Sequence, residues 1–413
     1  METLKDNPTM QATKLFWMVF LPFTLGYFLT AFFNQINALL MHFIHKDIAL
    51  SASAMGLITS VYLLAFSLFQ LPLGALLDFF GARRVQAYLF CFAAIGIIIF
   101  GSAHGPTGLL IGRAIIGVGM SAGLMAGFKS LRAWIPANKI ALANGCFMAS
   151  GTLGALCSTA PAEFVLHYLS WRELLFVMAA LTIVIAAIIF IFVPDEKNHS
   201  AEIKFFDQLK GVKLIYRSPY FWRIAPIAAA AFACNMAVVG LWAGPWFTEV
   251  AHLSISQSAN HLFVLSLSLI AGILLNGMIA DWLMHRFNLS ITTMVGIGLG
   301  FFLIAQLLLL CQFAPGSYFL WVLFGFFGRT ATLSYAAVSA HFPPSHAGRS
   351  TTALNLLFFL LAFFMQSGMG LIVNLWPRLS TGKYPVVAYE TAFGIILGVQ
   401  VLAYIWFFIK KVD

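Results

Sequence analysis

Two arginines and a small set of amides and hydroxyls carry whatever chemistry this chain performs. Arg329 lies in the apolar run 318–341 and Arg113 in the run 107–128. A guanidinium stays protonated at physiological pH and has five donors and no acceptor, so in an apolar stretch it must meet an anion or several acceptor oxygens. On a helix, with about 100° of rotation per residue, Thr332, Tyr335 and Ser339 fall beside Arg329. That face suits a carboxylate or a phosphate; the competing use is a tie between Arg329 and backbone carbonyls. Other polar residues recur at helical spacing. Tyr27, Thr30, Asn34 and Asn37 share a face, with Gln35 adjacent; so do Asn235, Trp242 and Trp246; Asn355, Phe359 and Gln366; and Asn144, Gly151 and Ser158. Such stripes are unfavourable toward lipid and expected toward a wet cavity, interhelical hydrogen bonding being their other use.

Acidic residues are scarce in these runs. Glu163 is the best candidate for a titrating group, a solvated or capping role being its alternative, and Glu249 lies at the end of its run. His42, His45, His104, His167 and His252 fall near run ends and His261 just inside one, positions more typical of interfacial than of coupling histidines. No His-Glu-x-x-His, Gly-x-Ser-x-Gly or P-loop occurs, so neither an enzyme nor a cofactor or metal is expected.

The elements that must position these residues follow from composition. Of 413 residues 61% are apolar and only 9% are charged, against roughly 25% charged in soluble chains. There is too little charge to cover a water-facing surface, which excludes a soluble enzyme, a disordered chain, a nucleic-acid binder and a disulfide scaffold. A bilayer span needs about 20 mostly apolar residues. Hydropathy places twelve spans near 15–41, 53–77, 86–103, 107–128, 140–165, 173–194, 223–249, 259–280, 289–312, 318–341, 350–375 and 388–409. The fold class is therefore an all-α polytopic membrane protein. No cleavable leader is evident, and the five cysteines read as small apolar packers.

The charged stretch 195–222 divides the spans into two sets of six, giving expected domains at 1–194 and 223–413 joined by a linker. Within the linker, Ile203, Phe206, Leu209 and Lys213, and Phe205, Val212 and Ile215, recur at helical spacing, which predicts a short amphipathic helix on the membrane surface. If the N-terminus is cytoplasmic, 17 of the 23 lysines and arginines lie on that side, Lys46, Arg172, Arg378 and Lys383 lie opposite, and Arg113 and Arg329 lie within spans. The bias predicts both termini and the central loop inside. The net charge of +9 is thus topological and implies no nucleic acid.

A repeat runs through the chain. Gly74, Asp78 and Arg83-Arg84 after span two correspond to Gly277, Asp281 and Arg286 after span eight; Gly112-Arg113 corresponds to Gly328-Arg329, and Asn144 to Asn355. Gly74–Arg84, with Gly81, resembles the loop signature of the major facilitator superfamily. Arg113-Ala114-Ile115-Ile116-Gly117-Val118-Gly119 resembles that family's fourth-helix pattern, and Ser170-Trp171-Arg172 is also typical. Phe79 and Ala82 stand where the signature is usually basic. The span-five pattern of many proton-coupled exporters is degraded here: Pro161 is kept, while Ala160 replaces a glycine and two further glycines are missing.

The resemblance implies two six-helix bundles around a central cavity lined by helices one, four, seven and ten, working by alternating access. It supports Tyr27, Asn34, Asn235, Trp242 and Arg329 as substrate contacts, and helical spacing adds Asn37, Tyr335 and Gln366 as further candidates. The family carries an arginine at the position of Arg113 across very different substrates, leaving packing, proton coupling and substrate contact open there. Glu163 and Arg113 are the coupling candidates. Gly74, Asp78, Gly81, Arg83, Arg84, Gly277, Asp281 and Arg286 would form a conformational latch, with Asp78 meeting a helix N-terminus or the Arg83–Arg84 pair. The expected function is secondary transport of a small polar metabolite, an organic anion being favoured by Arg329, coupled to protons. An exporter of amphipathic compounds and a transporter-like ligand sensor are the alternatives. The expected partners are a small-molecule substrate, the lipid bilayer and protons; the expected state is a monomer in a bacterial inner membrane.

Overall fold

The computed structural model describes residues 16–135, 140–195, 214–311, 313–342, 347–380 and 383–409. Every regular element among them is helical. Nine of these helices are long and apolar enough to cross a membrane. The longest, Ala52–Gly101, contains a reversal at Gly81, whose φ of 78° and ψ of 159° lie outside the helical region. A positive φ of that kind favours a residue without a Cβ, so this glycine separates the expected spans two and three.

Several expected spans are interrupted. The first consists of a π-helical turn Phe16–Phe20, the helix Leu21–Gln35 and, beyond Ile36, the helix Asn37–Asp47, which runs past the expected end at 41. His45 and Lys46 in its last turn favour that extension, because cations complement the negative end of a helix. Span four breaks at Ser121–Ala122, between Pro106–Met120 and Gly123–Trp134. Span five breaks between Ile140–Cys157 and Ala160–Val165. There the Ser158 and Thr159 hydroxyls donate back to the carbonyls of Ala155 and Leu156 at 2.7 and 2.6 Å, and Pro161 has no N–H to continue the ladder. Span seven, Pro219–Val250, passes through two π-helical segments, Val238–Trp242 and Trp246–Val250. Span ten is Tyr318–Gly328, a 3-10 turn Arg329–Thr332 and Leu333–His341.

Packing groups the chain into two compact units. One comprises Met1–Ile36 and Ala65–Ile203, the other Asn37–Leu64 and Lys204–Asp413. The units do not follow the linear division at the central loop, because Asn37–Leu64 packs with the second. In the first unit Leu21–Gln35 lies along Ile140–Cys157. A Cβ on Gly154 would sit 2.1 Å from the Phe28 carbonyl oxygen, so only glycine allows this approach. In the second unit Pro219–Ala237, almost entirely buried and carrying four consecutive alanines at 228–231, packs on Ala347–Val373. The expected amphipathic linker helix falls mostly on 203–213, outside the described residues.

Candidate functional site

The second unit gathers the strongest polar constellation around the break in span ten. The α-helical ladder ends at Gly328 and resumes at Leu333, with Arg329 opening the 3-10 turn between. The Thr332 hydroxyl closes that turn on the Arg329 carbonyl at 2.7 Å. Irregular backbone at membrane depth is tolerated where it is buried in protein or lines a wet cavity. Gly272 on Ile255–Phe287 allows the neighbouring helix to approach, since a Cβ there would lie 3.1 Å from Cβ of Arg329. Asn276 on the same helix donates to the Phe326 carbonyl at 2.9 Å, satisfying an acceptor near the helix end.

Tyr335 follows two turns after Arg329 and lies close enough to feel its charge. Its hydroxyl donates to Oδ1 of Asn355 at 2.7 Å, orienting that amide. Phe358 packs against the Tyr335 ring at 5.2 Å; Phe232 stacks on Phe358 at 4.5 Å and meets Phe359 edge-on at 5.7 Å. Arg329, Thr332, Tyr335, Asn355 and Phe359 are all half-buried. The acids on the described helices of this unit, Asp47, Glu249, Asp281 and Glu390, lie within a few residues of helix ends rather than in mid-helix. The constellation is a guanidinium, an oriented hydroxyl–amide pair and an aromatic wall, which together suit a small anion.

Other expected contacts in this unit are packed away. Asn235 is 2% exposed and lies against Gly328, where a Cβ would come within 2.3 Å of its Nδ2, an atom without a hydrogen-bond partner. Nε1 of buried Trp242 donates to the Gln366 carbonyl at 3.0 Å, and Gln366 is itself 1% exposed. Asn37 is fully buried and donates to the Thr59 hydroxyl at 3.0 Å. The break at Ile36 therefore divides the expected Tyr27–Asn34–Asn37 stripe between the two units.

In the first unit Tyr27 stacks on Phe147 at 4.9 Å and faces Gly151, and Asn34 is half-buried. Arg113, 2% exposed, lies in an unbroken helix, donates to the Phe33 carbonyl at 3.2 Å and faces the Phe100 ring at 5.9 Å. Glu163 pairs with the exposed His167 one helical turn on, at 3.0 Å. A cavity of about 620 Å³ is lined by Phe128, Arg132, Ile135, Ile140 and Asn144. Neither Arg132 nor Phe128 stands out in the sequence, although Asn144 is on the span-five stripe.

The loop residues form pairs that sequence reasoning did not supply. Asp78 meets Lys129 at 2.8 Å, and Lys129 also donates to the Leu77 carbonyl at 2.6 Å. The expected Asp78 contact with Arg83 and Arg84 is absent, because after the Gly81 turn those arginines reach the C-terminal end of Trp171–Phe192. Arg83 donates to the Val193 carbonyl at 3.2 Å and Arg84 meets Asp195 at 2.6 Å. Both contacts place a cation at a helix C-terminus. Gly74 is half-buried. In the repeat, Gly277 has open space where a Cβ would be, and Asp281 and Arg286 are exposed, with no ion pair for either among the described residues. The one signal for Lys129 was its place among the cations expected on the cytoplasmic side.

An all-helical chain with nine membrane-competent helices among its described residues is a polytopic membrane protein. Residues 23–366 match the family model of the Major Facilitator Superfamily, and the chain belongs to that superfamily. It is 28% identical over 194 residues to the "Probable nitrate transporter NarT" of Staphylococcus carnosus, covering 46% of this chain and 48% of that protein. The chain thus spans about half the length of the nitrate-transporter relatives it matches. It is 22% identical over 385 residues to the "Probable galactarate/D-glucarate transporter GudP" of Escherichia coli, covering 80% of each. Among solved structures, a bacterial homologue of the human lysosomal transporter Spinster, inward-facing and unoccupied, aligns over 98% of this chain and 97% of its own, with a TM-score of 0.76 at 16% identity. The superfamily and these relatives are transporters rather than enzymes.

Proposed function

We propose that the protein is a secondary active transporter of a small anion. The observation that carries this is Arg329 in the 3-10 interruption of span ten, beside the Tyr335–Asn355 pair. A cation at that depth costs about 2.5–3.5 kcal/mol on insertion scales, so its retention argues for a use. The matched relatives are named for nitrate and for sugar diacids, both anions, which supports the same class. The substrate's anionic group would sit on Arg329, with the Asn355 amide and the Phe359 ring beside it. Arg113, tied to a backbone carbonyl in an unbroken helix, is read as a packing charge.

The mechanism we propose is alternating access between halves 1–194 and 223–413, with both termini cytoplasmic in a bacterial inner membrane. The protein acts as a monomer driven by a proton gradient, with Glu163 a candidate coupling group. The Gly74–Arg84 and Gly277–Arg286 loops bias the conformational equilibrium, the first more strongly because its charges are paired.

Counterflow in liposomes holding the purified chain tests the reading, with nitrate, a hexose diacid, a neutral sugar and a lipophilic cation as the four probes. Uptake of either anion, with neither of the others moving, is expected. Thermal denaturation should agree, because a ligand at about 100 times its dissociation constant adds roughly 2.7 kcal/mol to the folded state. Movement of the lipophilic cation alone would overturn the anion reading in favour of an exporter of amphipathic compounds.

A further inference from the structure

The segment 37–64 is fastened to later parts of the chain by a set of contacts separate from the Arg329 site. Asn37–Asp47 packs on Val238–Trp242 and Ala243–Pro245. Gly244 allows this, because a Cβ there would lie 2.8 Å from the Ala38 carbonyl oxygen. The start of Ala52–Gly101 lies as close to Ala347–Val373: a Cβ on Gly370 would be 2.5 Å from the Ala52 carbonyl oxygen, and one on Gly56 3.0 Å from that of Gln366. The turn between the two helices is held from the 374–384 loop. The Ala52 amide donates to the Tyr384 hydroxyl at 3.1 Å, which in turn donates to Asn374 at 2.8 Å. Arg378 donates to the Leu50 carbonyl and lies over the Tyr384 ring.

Two histidines sit in this fastening, and both are arranged for the neutral form. His45 Nδ1 accepts from the Leu50 amide at 3.4 Å, in the same turn that Arg378 holds. Protonating Nδ1 would turn that acceptor into a donor facing a donor. His42 Nε2 is buried without a hydrogen-bond partner. The charged groups around the pair are Lys46 on the same helix, Arg378 and Lys383 from the loop, and Glu249 at the end of Trp246–Val250. Glu249 is the one anion among them and is already engaged by Lys383 at 3.1 Å.

We propose that His42 and His45 form a proton-binding site that releases the 37–64 segment when protonated, a site distinct from Glu163 and from the substrate site. On the orientation read from the charge bias this is the outer face, so protons arriving from outside would open that face.

The sign follows from the electrostatics. Burial, then the neighbouring cations, hold both histidines below their ordinary value of 6.5; for His42 the cation is Lys46 and for His45 it is Arg378. Released into water they return toward that value. The fastened state is fully favoured above pH 6.5 and loses ground as pH falls through the lowered values, by up to about tenfold per pH unit for each proton bound.

The test uses the full chain in lipid nanodiscs without substrate, so its result does not depend on the transport reading. Spin labels are placed on Leu57→Cys and Leu375→Cys, both exposed, with the five native cysteines replaced. Distances are measured between pH 8 and pH 5.5. A longer-distance population growing as pH falls is expected, and the His42→Gln/His45→Gln double variant should keep the short distance throughout. Glutamine at 45 can still accept from the Leu50 amide, so the double variant retains the fastening. A wild type whose distances ignore pH would overturn the proposal. So would a double variant that responds like the wild type, since the proton would then bind elsewhere.

Discussion

Arg113 and Arg329 occupy matching places in the two halves of the repeat, each preceded by glycine, and they stand in different surroundings. Arg113 stands in an unbroken helix, 2% exposed, with its guanidinium turned to a backbone carbonyl and a phenyl ring. Arg329 stands where the ladder changes from α to 3-10, half-buried, beside an amide oriented by the Tyr335 hydroxyl. An intramembrane arginine is therefore not a site by itself. The backbone around it sets which groups its donors can reach.

The largest expected effect separates the two directly. Arg329→Gln removes the charge and keeps a polar side chain of similar reach. Hydrogen bonds to a charged group contribute about 1.5–3 kcal/mol, so anion affinity should fall roughly 10- to 150-fold. Thermal stability should hold or rise, because an intramembrane charge is lost. Calorimetric or fluorescence titration of the anion that moves in counterflow, run beside thermal unfolding, reads both quantities. Affinity unchanged in this variant would make Arg329 a second packing charge and collapse the comparison.

The reciprocal variant is Arg113→Met, which keeps volume and removes the donor to the Phe33 carbonyl. Leaving a buried acceptor unsatisfied costs about 1–3 kcal/mol. Thermal unfolding should register that loss while anion affinity stays at the wild-type value. A variant that folds as stably as the wild type and binds anion poorly would move Arg113 into the substrate site.

Much of the fold was legible because it follows from local chemistry. Apolar runs read as helices, whereas the reversal at Gly81 and the break in span five, which hydropathy gives as one run over 140–165, come from a glycine φ and from the Ser158 and Thr159 hydroxyls with Pro161. The polar constellation was legible in part, since Arg329, Tyr335 and Asn355 stand out in apolar surroundings. What the sequence could not supply depends on tertiary approach. Asp78 has two arginines a few residues away and a lysine 51 residues away, and the Gly81 turn sends it to the lysine. Asn37 continues the spacing of Asn34, yet the break at Ile36 carries it to Thr59 in the other unit. Gln306 and Gln400 form a reciprocal buried amide pair, at 3.1 and 2.8 Å, that no spacing announced. In each case the partner lies on another helix, and helical periodicity carries no information about partners.

The smallest effect sharpens the comparison from the ligand's side. Tyr335→Phe removes one hydroxyl and leaves the ring that packs on Phe358. In the present arrangement that hydroxyl donates to Asn355, so on the proposed reading it acts on an anion through the orientation of the amide. A neutral hydrogen bond contributes about 0.5–1.5 kcal/mol net, which corresponds to a loss of roughly 2- to 12-fold in affinity. Asn355→Ala should cost about as much, and the double variant little more than either, because the two groups act as one unit. Additive losses in that cycle would mean that Tyr335 meets the anion independently. The site would then have two separate donors beside Arg329, and the contrast with Arg113, which donates to the Phe33 carbonyl and faces the Phe100 ring, would be wider still.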